Sequence, residues 1–393
     1  MSTMGKILRL MVDKKASDIY LSAQSPVLIK INGQIVPVNA QLLPADAPRN
    51  LLAEVLPTVQ IEELEATGEL NTALPVAGLG NFRISGFRQR NTYAAVIRYV
   101  PIKVPELGSL NVPAILSDLV KERHGLILMV GASGSGKSTT MAAMIDYRNQ
   151  TMPGHILTIE DPIEFLLSNK KSIVNQREVG RDTESLEVAL KNALRQAPDV
   201  ILIGEIRDRE TMSAALSYAQ SGHLCLASMH ANNSYQALNR ILSFYPVEVR
   251  STMLDELSAA LRAIVSQRLL RTQKGNQTPA VEVMINSRLV AELIATGEFS
   301  GVKEAMEKSV ADGSQTFEKD LARLIMEGTV SRKEGLAYAD SSTNLMWRLE
   351  NDFTAAKNKA LQDAEDSKDD EPFFTDITLD IPASPVPENQ LQA

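Results

Sequence analysis

Thiol and aromatic chemistry are nearly missing from this 393-residue chain, which has one cysteine (Cys225), four histidines, one tryptophan and 5% aromatic residues overall. A single cysteine rules out an internal disulfide framework and any multi-cysteine zinc cluster. An excess of basic residues is missing too. Lys and Arg number 40 against 48 Asp and Glu, a formal charge of −8, so the basic face of a nucleic-acid binder is not expected. Long apolar runs are absent: the clearest, such as Leu126–Val130 and Val200–Ile203, are far too short to span a bilayer. The first residues, Met-Ser-Thr-Met-Gly-Lys, lack the apolar core of a secretory signal. The expectation is a soluble cytoplasmic protein. Hydrophobic residues make up 44% of its length, and that length predicts two or three folded units, each with a core of ordinary size.

Patterning divides the chain. Leu8 to Val12 reads as a short amphipathic helix and Ser17–Ser22 alternates like a strand. Val27–Ile31, Asn32-Gly33 and Gln34–Val38 read as a hairpin, because Asn-Gly tolerates the positive φ that a two-residue turn demands. With further strands at Phe82–Phe87 and Tyr93–Val100, residues 1–100 are expected to form an α+β domain. Pro101, Pro105, Gly108 and Pro113 mark 101–113 as a linker. Across 114–270 the apolar runs Gly125–Val130, His155–Ile159, Val200–Ile203 and Leu224–Met229 alternate with helical stretches, the pattern of parallel strands buried on both faces. From Ser251 onward the periodicity predicts helices at Met253–Leu270, Arg288–Thr296, Val302–Val310, Phe317–Met326 and Ser331–Tyr338, so that 271–351 is a helical C-terminal region. Residues 352–393, rich in Asp, Glu and Pro, are expected to be a solvated, disordered acidic tail.

Gly131-Ala-Ser-Gly-Ser-Gly-Lys-Ser138 fits the phosphate-loop pattern G-x-x-x-x-G-K-[ST], with an apolar run before it and a helix after it. Its glycines turn successive N–H groups toward an anion, and the helix adds its positive end. Gly131, Ser133, Gly134, Ser135, Gly136, Lys137, Ser138 and Thr139 are therefore the nucleotide-binding set. Lys137 reaches the β- and γ-phosphates and Ser138 ligates Mg²⁺, so the expected ligands are ATP and Mg²⁺. Acidic groups follow two of the other apolar runs: Glu160-Asp161-Pro162-Ile163-Glu164 and Glu205. A carboxylate at a strand end beside the loop holds a metal or orients water, or is simply solvated. For Glu164 and Glu205 the two readings stand level, and Glu160 and Asp161 are equally well solvated or paired with Arg177. His223 and His230 bracket the run Leu224–Met229. His230 shares the strand-end position of the carboxylates, whereas Cys225, inside the run, reads as core. Arg83 and Arg98, on strands of the first domain, read by themselves as solvated or paired.

Together these residues resemble the secretion-type hexameric ATPases, and within them the type IV pilus retraction motors. Four boxes match in order and spacing: the phosphate loop, Ile159-Glu-Asp-Pro-Ile-Glu-Phe165, Ile201-Leu-Ile-Gly-Glu-Ile-Arg-Asp208 and Gly222-His-Leu-Cys-Leu-Ala-Ser-Met-His230. Ala16–Ser22 and Val174–Val179 add to the likeness, which covers about residues 5–340. It implies a RecA-like P-loop NTPase core with a PAS-like N-terminal domain, in α/β architecture. It also implies roles: Glu164 polarises the attacking water, Glu205 supports Mg²⁺ and water, and His230 senses the γ-phosphate. Arg83 and Arg98 match arginines given by the N-terminal domain to a nucleotide site, which reverses their solvated reading. A ring of six, acting at the cytoplasmic face of the inner membrane on a pilus platform protein, is the assembly implied, with the membrane reached only through partners.

Two departures refine the likeness. Extension and secretion motors of the superfamily carry a tetracysteine zinc module, which one cysteine cannot build. The principal retraction motors carry Ala-Ile-Arg-Asn-Leu-Ile, whereas this chain has Leu289-Val-Ala-Glu-Leu-Ile294, with Ala291 in place of the arginine, and adds the acidic tail. The first departure favours the retraction branch; within it, the altered motif and the added tail point to the accessory branch, which supports retraction alongside the principal retraction ATPase. A non-motor partner of that ATPase is the alternative.

Overall fold

The computed structural model describes residues 2–31, 33–100, 104–308 and 313–351. Asn32 of the hairpin turn, Pro101 of the linker, Val310 and the whole acidic segment 352–393 lie outside the described residues.

The N-terminal part opens with helix α1 (Thr3–Asp13), whose cap Ser2 accepts the Gly5 N–H and whose Met4, Leu8 and Met11 share one buried face. Strand β1 (Asp18–Ser22) and the hairpin β2 (Leu28–Ile31) and β3 (Gln34–Pro37) come next. Helices α2 (Ala47–Ala53) and α3 (Thr58–Thr67) precede the meander β4 (Glu69–Val76), β5 (Gly80–Gln89) and β6 (Thr92–Val100). These strands form one six-stranded sheet in the order β3-β2-β1-β6-β5-β4, antiparallel throughout. Met4, Leu8, Ile19, Leu52, Leu64, Phe82 and Ile97 join the helices to that sheet in one apolar cluster.

After the short helix α4 (Leu116–Leu119) the architecture changes. Strand β7 (Gly125–Val130) leads into α5 (Lys137–Thr151), followed by β8 (Gly154–Glu160), β9 (Ser172–Glu178), α6 (Leu186–Ala193) and β10 (Val200–Ile203). Then come α7 (Arg209–Gln220), β11 (Leu224–Met229), α8 (Ser234–Ser243) and α9 (Arg250–Ala260). The chain returns through β12 (Leu261–Arg271) and β13 (Gln277–Ile285), completing a seven-stranded sheet in the order β13-β12-β7-β11-β10-β8-β9. All its pairings are parallel except β12 with β13. All four apolar runs are strands of this sheet. β7 is buried along its whole length because alternate side chains enter different cores: Leu126, Leu128 and Val130 on one face, Ile127 and Met129 on the other. Each fully buried aliphatic side chain of this kind contributes about 1.5–3 kcal/mol relative to exposure.

One expected helix is half strand. The period predicted helix from Met253 to Leu270, but α9 stops at Ala260 and Leu261 turns extended. The stripe Leu254, Leu257, Leu261, Ile264 and Val265 mimics helical spacing. Beyond Ala260 it is satisfied instead by pairing, with β7 on one side and β13 on the other, so sheet formation overrides the local period. The core sheet thereby runs to Ile285, past the expected limit at 270, and 271–351 is not wholly helical. The rest of that region holds α10 (Arg288–Thr296), α11 (Val302–Lys308), α12 (Phe317–Met326), α13 (Arg332–Tyr338) and a last helical stretch, 342–351. Phe317, Leu321, Leu324 and Leu345 pack there against Leu270 of β12 and Ala280 of β13.

Candidate active site

The phosphate-loop sequence joins β7 to α5. Gly136 caps α5 with φ +88°, a left-handed conformation open chiefly to glycine. A side chain at either end of the loop would collide: a Cβ on Gly136 would meet Gln267 Nε2 at 2.6 Å, and one on Gly131 would meet the Gln267 carbonyl at 2.5 Å. Backbone crowded this closely is a cradle for an anion. Lys137 is buried and donates to the carbonyls of Gly131 and Ala132 at 2.8 and 2.9 Å. Burial holds its ammonium below the ordinary lysine range, and Glu205 and Glu164 push it back up. Ser135 is buried, and its hydroxyl has no hydrogen-bond partner.

Parallel pairing puts the carboxyl ends of β11, β10 and β8 side by side next to the loop, the edge where open α/β sheets hold ligands. Each end brings one expected group. His230 follows β11, with Nε2 3.3 Å from Glu205 Oε1; Glu205 follows β10 and accepts from Arg207 Nε at 2.8 Å. After β8 the two glutamates of the acidic run separate. Glu160 is half-buried on the cavity wall, accepting from Thr158 Oγ1 at 2.6 Å and Gln176 Nε2 at 3.2 Å, and burial raises its pKa. Glu164 is exposed on the cavity wall. Arg177 pairs with neither Glu160 nor Asp161: it donates to the Asp182 carbonyl, and Asp161 lies 3.9 Å from Arg207.

A cavity of about 580 Å³ is lined by Ser133, Gly134, Gly136, Lys137, Ser138, Thr139, Glu164, Glu205 and His230, and by Arg98 from the N-terminal sheet. Its size suits a small-molecule ligand. Arg83 is not among the lining. It borders a neighbouring space of about 770 Å³, which Arg98 also borders. The two arginines are direct partners across β5 and β6, where like charges destabilise a strand pair. Asp18, buried on β1 beside Arg98, takes Arg98 Nε at 2.9 Å. Arg83 reaches off the sheet to the Ile163 carbonyl and lies 3.9 Å from Glu178. Burial lowers its pKa, and Glu178, Glu164 and Glu160 oppose that shift. Cys225 is fully buried in β11, as read from its position.

Two supporting residues were given no role by the sequence. Gln267 on β12 donates to the Ser135 carbonyl and accepts from Thr140 Oγ1, both at 2.8 Å, bracing the loop and the first turn of α5. The helix expected over Met253–Leu270 hid it. Asp18 gave a weaker signal, an acidic residue in the first strand.

The residues present fit a nucleoside triphosphate: a crowded glycine cradle, a buried lysine and facing carboxylates. Among the described residues no group of three or more His, Cys, Asp or Glu is arranged to hold a metal alone. Ser138 and Glu205 supply the hydroxyl and carboxylate with which Mg²⁺ is commonly held beside substrate phosphates.

The model of the family described as type II/IV secretion system protein matches residues 3–346. The type IV pilus ATPase PilU of Pseudomonas aeruginosa is 46% identical over 341 residues, spanning 86% of this chain and 89% of that protein. The type IV pilus retraction ATPase PilT of the same organism is 35% identical over 328 residues, spanning 84% and 95%. The crystal structure of the pilus retraction motor PilT with bound ADP matches with a TM-score of 0.81 at 37% identity, over 88% of this chain and 98% of that one.

Proposed function

This chain belongs to the type II/IV secretion system protein family, and we infer that it is an ATP-hydrolysing retraction motor subunit of a type IV pilus. One observation carries this reading: a phosphate-loop cavity that gathers Lys137, Glu164, Glu205 and His230 and receives Arg98 from a second sheet. Lys137 neutralises charge on the terminal phosphates. Glu164, on the cavity wall, takes a proton from the attacking water. His230, held near Glu205, registers the γ-phosphate. Arg98, with Arg83 behind it, answers charge developing on the transferred phosphoryl group. Mg²⁺, when bound at Ser138 and Glu205, supplies further neutralisation of the phosphate oxygens. Because an arginine from the N-terminal sheet reaches the site, gain and loss of phosphate change how strongly the two parts attract each other.

We further propose a homo-hexamer at the cytoplasmic side of the pilus base, accessory to the principal retraction ATPase and meeting an inner-membrane platform protein. Among the described residues no helix is long and apolar enough to cross a membrane. Accessory status rests on Ala291, on α10. Pilus retraction is to be measured in cells lacking this protein, the principal motor or both. An accessory subunit slows retraction when lost but drives none by itself. Purified protein that binds ATP yet turns over no faster than Lys137→Ala would instead mark a non-motor partner.

A further inference from the structure

The loop carrying His230 is tied to the C-terminal helices by a cluster that the reaction itself does not use. Residues 230–233 connect β11 to α8, and Asn233 caps α8 by accepting the Gln236 N–H at 2.9 Å. The amide of the same Asn233 donates to Asp340 Oδ2 at 2.9 Å. Arg268 of β12 donates to the Asn232 carbonyl at 3.0 Å, to the Tyr338 carbonyl and to Asp340 Oδ1. Its guanidinium also stacks on Phe317, 3.8 Å from the ring centre. Arg268 and Asp340 are largely covered, with side chains 17% and 22% exposed, so their pairing is less screened than a surface ion pair.

Asp340 is itself held from behind. Glu318 of α12, buried, accepts the Ser341 N–H at 2.9 Å and pairs with Lys303 at 3.1 Å. Strand alternation links this cluster to the phosphate loop. Gln267 faces the loop, while its neighbours Ser266 and Arg268 face the other way. Ser266 reaches Glu282 at 3.0 Å, and Glu282 also accepts the Ser234 N–H at 2.8 Å. Both sides of the 230–234 turn are thus fixed by β12, β13 and the segment after α13.

We propose that Arg268 and Asp340 are positioning residues: through Asn232 and Asn233 they hold the His230 loop in register with Glu205, so that the C-terminal helices set the rate of hydrolysis. This rests on the ATPase reading above. It concerns catalytic rate rather than nucleotide capture, because none of these contacts touches the phosphate loop directly.

The test uses the full-length protein with Asp340→Ala, Asp340→Glu and Asn233→Asp. Asn233→Asp keeps the helix cap but replaces the donated amide with a like charge, and so remains informative if Asp340→Ala fails to fold. Asp340→Ala and Asn233→Asp are each expected to lower kcat about tenfold with KM for ATP changed less than about twofold. Asp340→Glu restores most of the rate. Hydrogen exchange of amides in 230–236 accelerates in both disruptive variants while that of α5 does not. In a His230→Ala background the same changes add less than about twofold. An equal loss with and without His230, a rise in KM alone, or unaltered exchange at 230–236 overturns the proposal. If wild-type protein hydrolyses no ATP, the ATPase reading falls instead, and the exchange measurement alone decides whether the tie exists.

Discussion

The phosphate loop and the strand bracing it serve one site but are specified by different kinds of information. Residues 131–138 are contiguous, their glycines Gly131, Gly134 and Gly136 take positive φ, and the flanking strand and helix are their neighbours in sequence. β12 contributes from far away: Gln267 lies 132 residues along the chain from the Ser135 carbonyl that it holds. The loop is therefore a motif, whereas the brace exists only once β12 pairs with β7 and β13. A contiguous site is legible before folding. A supporting shell assembled by pairing is not.

That contrast fails first if the chemistry does not reside beside the loop. Glu164→Gln keeps the shape of the cavity wall and removes the base, so turnover should fall about a thousandfold while nucleotide affinity changes less than about twofold. Phosphate-release kinetics beside titration with a fluorescent nucleotide checks both halves, and strong residual hydrolysis excludes Glu164 as the base. Next in size come the arginines. Arg98→Ala should lower turnover about a hundredfold and Arg83→Ala less, because only Arg98 lines the 580 Å³ cavity. Circular dichroism should show both variants folded. Normal turnover in both would separate the N-terminal sheet from the reaction.

Particular residues show where reading stopped. The four strand runs were plain because β-branched and aliphatic residues buried on both faces leave no polar alternation to confuse. Lys137 was found in a contiguous motif; Glu164, Glu205 and His230 were candidates because each follows a strand, their roles came from the likeness to retraction motors, and the sheet order brings those strand ends together. That Thr158 and Gln176 would capture Glu160 and leave Glu164 the freer carboxylate on the same cavity wall was not decidable. The arginines were worse: composition and spacing gave them no role, and only the likeness to retraction motors did. Their cross-strand register beside Asp18 is a property of the folded sheet. Segment 261–270 was misread because its apolar spacing satisfies a helix as well as a strand. With it went Gln267, Arg268 and every contact they make.

Gln267→Leu sharpens the contrast from the distal side. It keeps the volume but strips two hydrogen bonds from the Ser135 carbonyl and the buried Thr140 hydroxyl. Stability should fall by about 1–3 kcal/mol in denaturant titrations, and KM for ATP should rise about tenfold as the cradle loosens. A stability loss with unchanged KM would make the brace structural only.

The smallest effect belongs to a residue adjacent to the chemistry in sequence but not part of it. Cys225 lies inside β11, and burial pushes its thiol from 9.0 to about 12. The folded protein therefore keeps the proton where the unfolded chain has released it. Stability from this group is intact below about pH 9 and is lost as pH rises toward 12, because the unfolded state then binds fewer protons. By pH 10 the loss should reach about 1.4 kcal/mol. Tyr218, also raised to about 12 and interacting with Cys225, adds its own loss only above about pH 10. Cys225→Ala removes the thiol's share, so unfolding free energies of wild type and variant should converge between pH 8 and 10 while ATP turnover stays within about twofold. A constant difference across that range would mean that the thiol ionises in the folded state, and that the middle of β11 is more open than its burial implies.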